Sequence, residues 1–122
     1  MELPSAIEIE WLTPERPLAD DRVRAAVQAA LEHGGRGECG LSVVFVGDEQ
    51  LAEMHAEWLD DPTQTDVITF DLGDSGAGPA GELYVSVDCA LRLAPTRPVS
   101  VERELALYLV HGALHLCGYD DH

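Results

Sequence analysis

The sequence contains no lysine, and its seven arginines face 23 acidic residues, a formal net charge of −16. That balance excludes a broad electrostatic grip on nucleic acid, because phosphate contacts rest on Lys and Arg. DNA is therefore not an expected partner, and any RNA-binding reading has to work with few cations. Cysteine is scarce too: Cys39, Cys89 and Cys117 are odd in number, widely spaced and form no C-x-x-C pair. Neither a disulfide framework nor a thiolate zinc finger fits, and all three read as small buried hydrophobes in a reducing cytosol. No apolar run approaches the roughly 18 residues needed to cross a bilayer. The start, MELPSAIEIE, lacks both the basic and the greasy region of a secretory signal. A cytoplasmic protein without membrane contact is expected.

What is present is ordinary for a globular protein: 122 residues, 46% hydrophobic and 25% charged. Such a chain buries a core without disulfides, so one domain over residues 1–122 is expected. Ile7 to Trp11 alternates apolar with acidic residues, the period of a half-buried strand. Val23, Val27, Ala30 and Leu31 then share one helical face, which Gly34-Gly35 ends. Leu41 to Val46 is a short β-branched apolar run, suited to a central strand buried on both faces. Asp48 can N-cap a helix with Leu51, Met54, His55 and Trp58 at i, i+3, i+4 and i+7, ending before Pro62. Strands over Thr65–Leu72 and Glu82–Val87 flank the aperiodic loop Gly73–Gly81, which favours antiparallel pairing. Asp88 is expected to cap a short helix to Leu93, and Ser100 the last helix. The architecture expected is α+β: a four-stranded mixed sheet packed with helices, in the order β-α-β-α-β-β-α-α, around a central zinc-binding helix.

The last helix is apolar almost all round from Leu105 to Leu116, as for a helix buried in the interior. Its polar residues Glu104, Tyr108, His111 and His115 step by four, three and four, and so form one stripe. Histidines at i and i+4 can converge on a Zn²⁺ ion, although the pair alone more readily fits two hydrogen-bonded core histidines. The residues after His115 change the balance: Gly118 stops the helix, so that Asp121 or His122 can reach back as a third ligand. H-x-x-x-H-x-x-G-x-x-ligand is the metzincin layout, except that Gly112 stands where those peptidases place a catalytic glutamate. Three protein ligands leave one position for an activated water, which marks a catalytic site rather than a structural one. A peptidase of this layout would need its general base from Glu82 or Asp66.

His111-Gly112-Ala113-Leu114-His115-Leu116-Cys117-Gly118-Tyr119-Asp120-Asp121-His122 resembles the signature of the YbeY endoribonucleases, H-G-x-L-H-L-x-G-Y-D-H, with one inserted residue. Thr65-Asp66-Val67-Ile68-Thr69-Phe70 is similar to that family's T-D-V-L-S-F strand, and Gly81-Glu82-Leu83-Tyr84-Val85-Ser86 to its G-D-I-x-I-S strand. The resemblance implies a metal-dependent, single-strand-specific endoribonuclease of ribosomal RNA maturation and ribosome quality control. It implies one Zn²⁺ per chain, ribosomal RNA as substrate and ribosomal proteins as further partners. The ligands are then His111, His115 and, taking Asp121 as a loop insertion, His122, with His111 and His115 at the centre of catalysis. Three departures stand out. Asp121 occupies the usual spacing of the third histidine, and Leu59 falls where many members carry an arginine. Members also continue beyond His122 into a C-terminal helix, so this chain is expected to lack one. Without catalysis, a metal-stabilised ribosome assembly factor is the alternative from another class.

Further candidates carry competing roles. His55 shares a face with core residues, although the resemblance puts a polar residue there facing the cleft. Asp66 can orient a ligand imidazole or simply shape the entry to its strand, and Asp121 can accept a similar bond. Ser86 can face the cleft at the end of its strand. Cys117 lies about 200° round from His115 and points away from a metal. His33, at a helix C-terminus, suits the dipole there and receives no function.

Overall fold

In the computed structural model, residues 7–36, 40–59, 67–72 and 81–118 are described, with backbone alone for 54–59. The elements in order are β1 (Ile7–Trp11), α1 (Asp20–His33), β2 (Leu41–Val46), α2 (Asp48–Leu59), β3 (Val67–Asp71), β4 (Gly81–Ser86), α3 (Val87–Leu93), a 3₁₀ turn at Ala94–Thr96 and α4 (Val101–Leu116). The strands form one sheet in the order β1-β2-β4-β3. β1, β2 and β4 run parallel, whereas β3 pairs antiparallel with β4 from Val67↔Val85 to Asp71↔Gly81. The α+β class, the mixed sheet, the element order and the antiparallel pair all match the sequence expectation.

The side-chain period of two divides the sheet into unlike faces. Leu41, Val43, Phe45, Leu83 and Val85 pack with Val23, Val27, Leu31, Leu105 and Leu109 in the main core, under α1 and α4. On the reverse face, Val44, Val46 and Ile68 meet Leu51 of α2, with Phe70 and Tyr84 alongside. β2 is thus apolar on both sides, which explains its unbroken run. Trp11 stacks on Phe45 at 3.7 Å between ring centroids, and its indole N–H donates to Asp20 at 2.8 Å, tying β1 to the start of α1.

Glycines set the approach of α4. At Gly34 a Cβ would fall 2.4 Å from the Cys117 sulfur, so the end of α1 can press on the end of α4 only without a side chain. At Gly112 a Cβ would meet Leu83 at 3.0 Å and Val67 at 3.1 Å, so α4 lies close on β4 and β3.

Several details differ from expectation. α3 is capped by Ser86, whose Oγ accepts from Cys89 N at 2.9 Å. β4 ends one residue earlier than the pattern suggested, which moves the cap from Asp88 to Ser86. Asp88 instead accepts from the Asp48 backbone N–H at 2.9 Å and so serves the N-terminus of α2. The Asp48 carboxylate is turned away from its own helix: it accepts from Ser86 Oγ at 2.7 Å and pairs with Arg92. Ser100 caps α4 as expected, accepting from Arg103 N at 3.1 Å. α4 is not an interior helix, since Leu107 is 54% and Val110 36% exposed. Apolar surface residues are tolerated, so an apolar sequence does not by itself place a helix inside. Among the described residues, no helix is long and apolar enough to cross a membrane.

Candidate active site

The stripe on α4 is real but uneven in depth. Glu104 and Tyr108 are buried, His111 is half-buried and His115 is exposed. The groove side of α4 that meets α1 carries Glu102 and Ala106. At 3.6 residues per turn, Ala106 lies roughly 140° from His111 and 180° from His115, so both imidazoles lie on the flank away from α1. That flank is the one beside β3, the sheet edge, where the Thr69 hydroxyl donates to the Gly112 carbonyl at 3.3 Å. Thr69 and Gly112 therefore fix the histidine-bearing turn against the sheet. Neither was singled out from sequence as a positioning residue, since a lone threonine in a strand carries no local signal.

The end of the helix is held with equal care. Cys117 N donates to Ala113 and Leu114 carbonyls, Gly118 N donates to the His115 carbonyl, and Gly118 adopts φ +95°. This left-handed residue stops α4 and turns the chain, as the glycine predicted. Arg36 donates to the Leu116 carbonyl at 3.0 Å and lies 3.9 Å from Asp71, joining the loop after α1 to the ends of α4 and β3. No local pattern hints at this tie, which spans 80 positions. Cys117 packs into the core, and burial pushes its thiol pKa up against the lowering effect of Arg36. It behaves as the packing residue expected.

Deeper in the stripe, Glu104 accepts from the Tyr108 hydroxyl at 2.8 Å and from Arg97 at 3.0 Å. The Tyr108 hydroxyl also lies 3.5 Å from Cys89 Sγ. Burial first, then these hydrogen bonds, raise the Tyr108 pKa. This end of the stripe is a closed polar cluster, and the ligand-like part is confined to His111 and His115.

Ser86, expected to face the cleft, is instead fully buried between the starts of α2 and α3. His55 lies on α2, but its side chain is outside the described residues, as are Asp66, Asp121 and His122. Among the described residues, no group of three His, Cys, Asp or Glu side chains is placed to hold a metal. The donor set that is present, two imidazoles one turn apart on an accessible flank near the end of α4, fits two ligands of a tetrahedral ion. Gly112 packs into the sheet, so a glutamate of metzincin type at that position would meet Leu83 and Val67 rather than the histidine flank. Glu82 alternates with Leu83 and faces the α2 side of the sheet, across from α4. Both observations weigh against the peptidase reading.

The endoribonuclease YbeY family model matches residues 9–122. The chain is 35% identical to the endoribonuclease YbeY of Salinibacter ruber over 128 residues, covering 98% of this chain and 82% of that one. For the Anaeromyxobacter relative of the same name the identity is 38%, over 88% of this chain and 57% of the relative. For that of Thermus thermophilus it is 36%, over 81% and 74%. A protein from Thermotoga maritima, solved in solution, has a TM-score of 0.59 and 25% identity, over 95% of this chain and 75% of that one.

Proposed function

The chain belongs to the endoribonuclease YbeY family, and from that premise we propose that it is a metal-dependent endoribonuclease that cuts single-stranded RNA in ribosomal RNA maturation and ribosome quality control. The observation that carries the reading is the pair His111 and His115 on the accessible flank of α4, followed at once by the turn at Gly118. In this reading His111, His115 and His122 hold one Zn²⁺. His122 is preferred to Asp121 because imidazole suits this ion and α4 has already ended at Leu116, so helical spacing does not choose between them. When bound, the ion supplies Lewis acidity and an activated water. The chain's own residues supply the frame: Gly112 and Thr69 set the height of the histidine turn, and Arg36 and Gly118 fix where α4 ends. Asp66 and Asp121 are candidates to accept a hydrogen bond from the outer nitrogen of a ligand imidazole, which selects its tautomer. Cytoplasmic location and contact with ribosomal proteins belong to the same proposal.

Purified protein prepared without chelator is expected to carry about one equivalent of divalent transition metal, as in a single three-ligand site. It is expected to cleave unstructured RNA, and chelation should abolish cleavage. Protons compete for imidazole nitrogens, so metal affinity should fall as pH is lowered. His122→Ala and Asp121→Ala separate the two third-ligand assignments. A heavy loss of affinity in the Asp121 variant alone would make the site His-His-Asp. Metal binding without any RNA cleavage would favour the non-catalytic assembly factor, a reading that Leu59 and the net charge of −16 favour.

A further inference from the structure

All seven arginines lie within the described residues. Four are committed to carboxylates: Arg24 to Asp21, Arg36 to Asp71, Arg92 to Asp48 and Arg97 to Glu104. Arg16, Arg22 and Arg103 make no ion pair among the described residues. Two of these three, Arg22 from α1 and Arg103 from α4, line the same groove, a concavity of about 470 Å³ between the two helices. Its floor is Leu18, Ala25 and Ala106, and Ser100 and Glu102 complete the rim. In a chain with 23 acidic residues, an arginine beside a carboxylate is the ordinary outcome. Two uncommitted guanidiniums facing one hollow are therefore an informative departure from the rest of the surface.

We infer that this groove is a second contact site for RNA, one that takes a phosphodiester of the strand away from the bond being cut. The inference rests on the proposed nuclease reading. Guanidinium forks match phosphate oxygens in pairs and hold them without base preference. The lining contains no aromatic ring, so it offers no stacking platform, and the contact reads the backbone rather than the base. Glu102 on the rim keeps the site's net charge small and the contact weak. Arg103 lies eight residues before His111, roughly 12 Å along the helix axis. A strand leaving the histidine flank reaches the groove by crossing the exposed Leu107 and Val110. A dinucleotide, whose one phosphodiester is the bond being cut, has none left for the groove.

The test compares the wild-type holoprotein with the double variant Arg22→Gln and Arg103→Gln, two exposed positions whose change leaves the fold intact by its thermal melt. Binding of a long unstructured RNA is followed against salt, and cleavage is followed on that RNA and on a dinucleotide. Each phosphate contact on a single strand adds about 0.7 to the salt slope, so loss of this one should make the slope shallower by about 0.7. Affinity for the long RNA should fall several-fold while dinucleotide cleavage stays within two-fold. An unchanged slope and affinity overturn the inference, even if the dinucleotide is cut normally. Failure of both proteins to cut any RNA, with the slope difference intact, sinks the nuclease reading and leaves the groove standing. If the variant binds RNA normally but loses an acidic peptide that the wild type binds, the groove is a protein-docking site and the inference is wrong.

Discussion

On one side of the sheet, α1 and α4 bury a continuous apolar layer that includes Phe45, Leu83, Leu105 and Leu109. On the other, α2 rests through Leu51 on Val44, Val46 and Ile68, and its start is fixed by Asp48, Asp88, Ser86 and Arg92. Burial gains grow with apolar area, whereas a hydrogen bond nets only about 1 kcal/mol. The helix carrying the histidine pair is therefore the rigid wall of the molecule, and α2 is held by fewer and more directional contacts. A site that must keep two imidazoles in register benefits from the first arrangement. The second leaves α2 as the element that opens at lower cost.

The largest expected effect comes from cutting into the thick side. Leu109→Ala should cost about 2–5 kcal/mol in urea unfolding, with Leu51→Ala on the thin side near the bottom of that range. A larger loss at Leu51 would reverse the comparison. Gly34→Ala should cost about 1–3 kcal/mol by thermal melting, because the new methyl displaces Cys117 at the end of α4. A neutral result would mean that the two helix ends part without penalty.

Ser86→Ala sharpens the contrast from the thin side. Loss of the α3 cap should cost about 1 kcal/mol. Hydrogen exchange should quicken in α2 while α4 keeps its protection. Equal loosening of both helices would show that the faces are not separately held.

The smallest effect is confined to alkaline pH. Folding raises the Tyr108 pKa through burial and its bonds to Cys89 and Glu104. The native state therefore keeps a proton that the unfolded chain gives up above its ordinary value, near 10. Stability from this group is complete below that pH and is lost as pH rises beyond it. Tyr108→Phe should flatten the alkaline limb of the unfolding free energy, and an unaltered limb would assign it to other groups.

Much of this was legible in the residues. The stripe Val23, Val27, Ala30 and Leu31 is the buried face of α1, and alternation in Ile7–Trp11 marks an edge strand with wet glutamates. The histidine spacing and the Gly118 stop were equally plain. Ser86 against Asp88 was not, because both are good caps and a strand end shifted by one residue decides between them. Nor was the exposure of Leu107 and Val110 readable, since helical periodicity is lost when nearly every position is apolar. Arg36 reaching Leu116, and Asp88 serving the helix of Asp48, are contacts between distant segments that no local pattern encodes.

The parallel pairing of β1, β2 and β4 has a consequence for how the protein is made. The sheet surface formed by Leu41, Val43, Leu83 and Val85 is complete once Ser86 has emerged from the ribosome, but α4 follows only with Val101–Leu116. Until then a greasy surface half covered by α1 faces the crowded exit site. Nascent chains in that state are the natural clients of chaperones and the natural seeds of aggregation. The helix that presents the histidine pair thus also closes the core, so a chain released before it is synthesised lacks both the pair and the cover of its sheet.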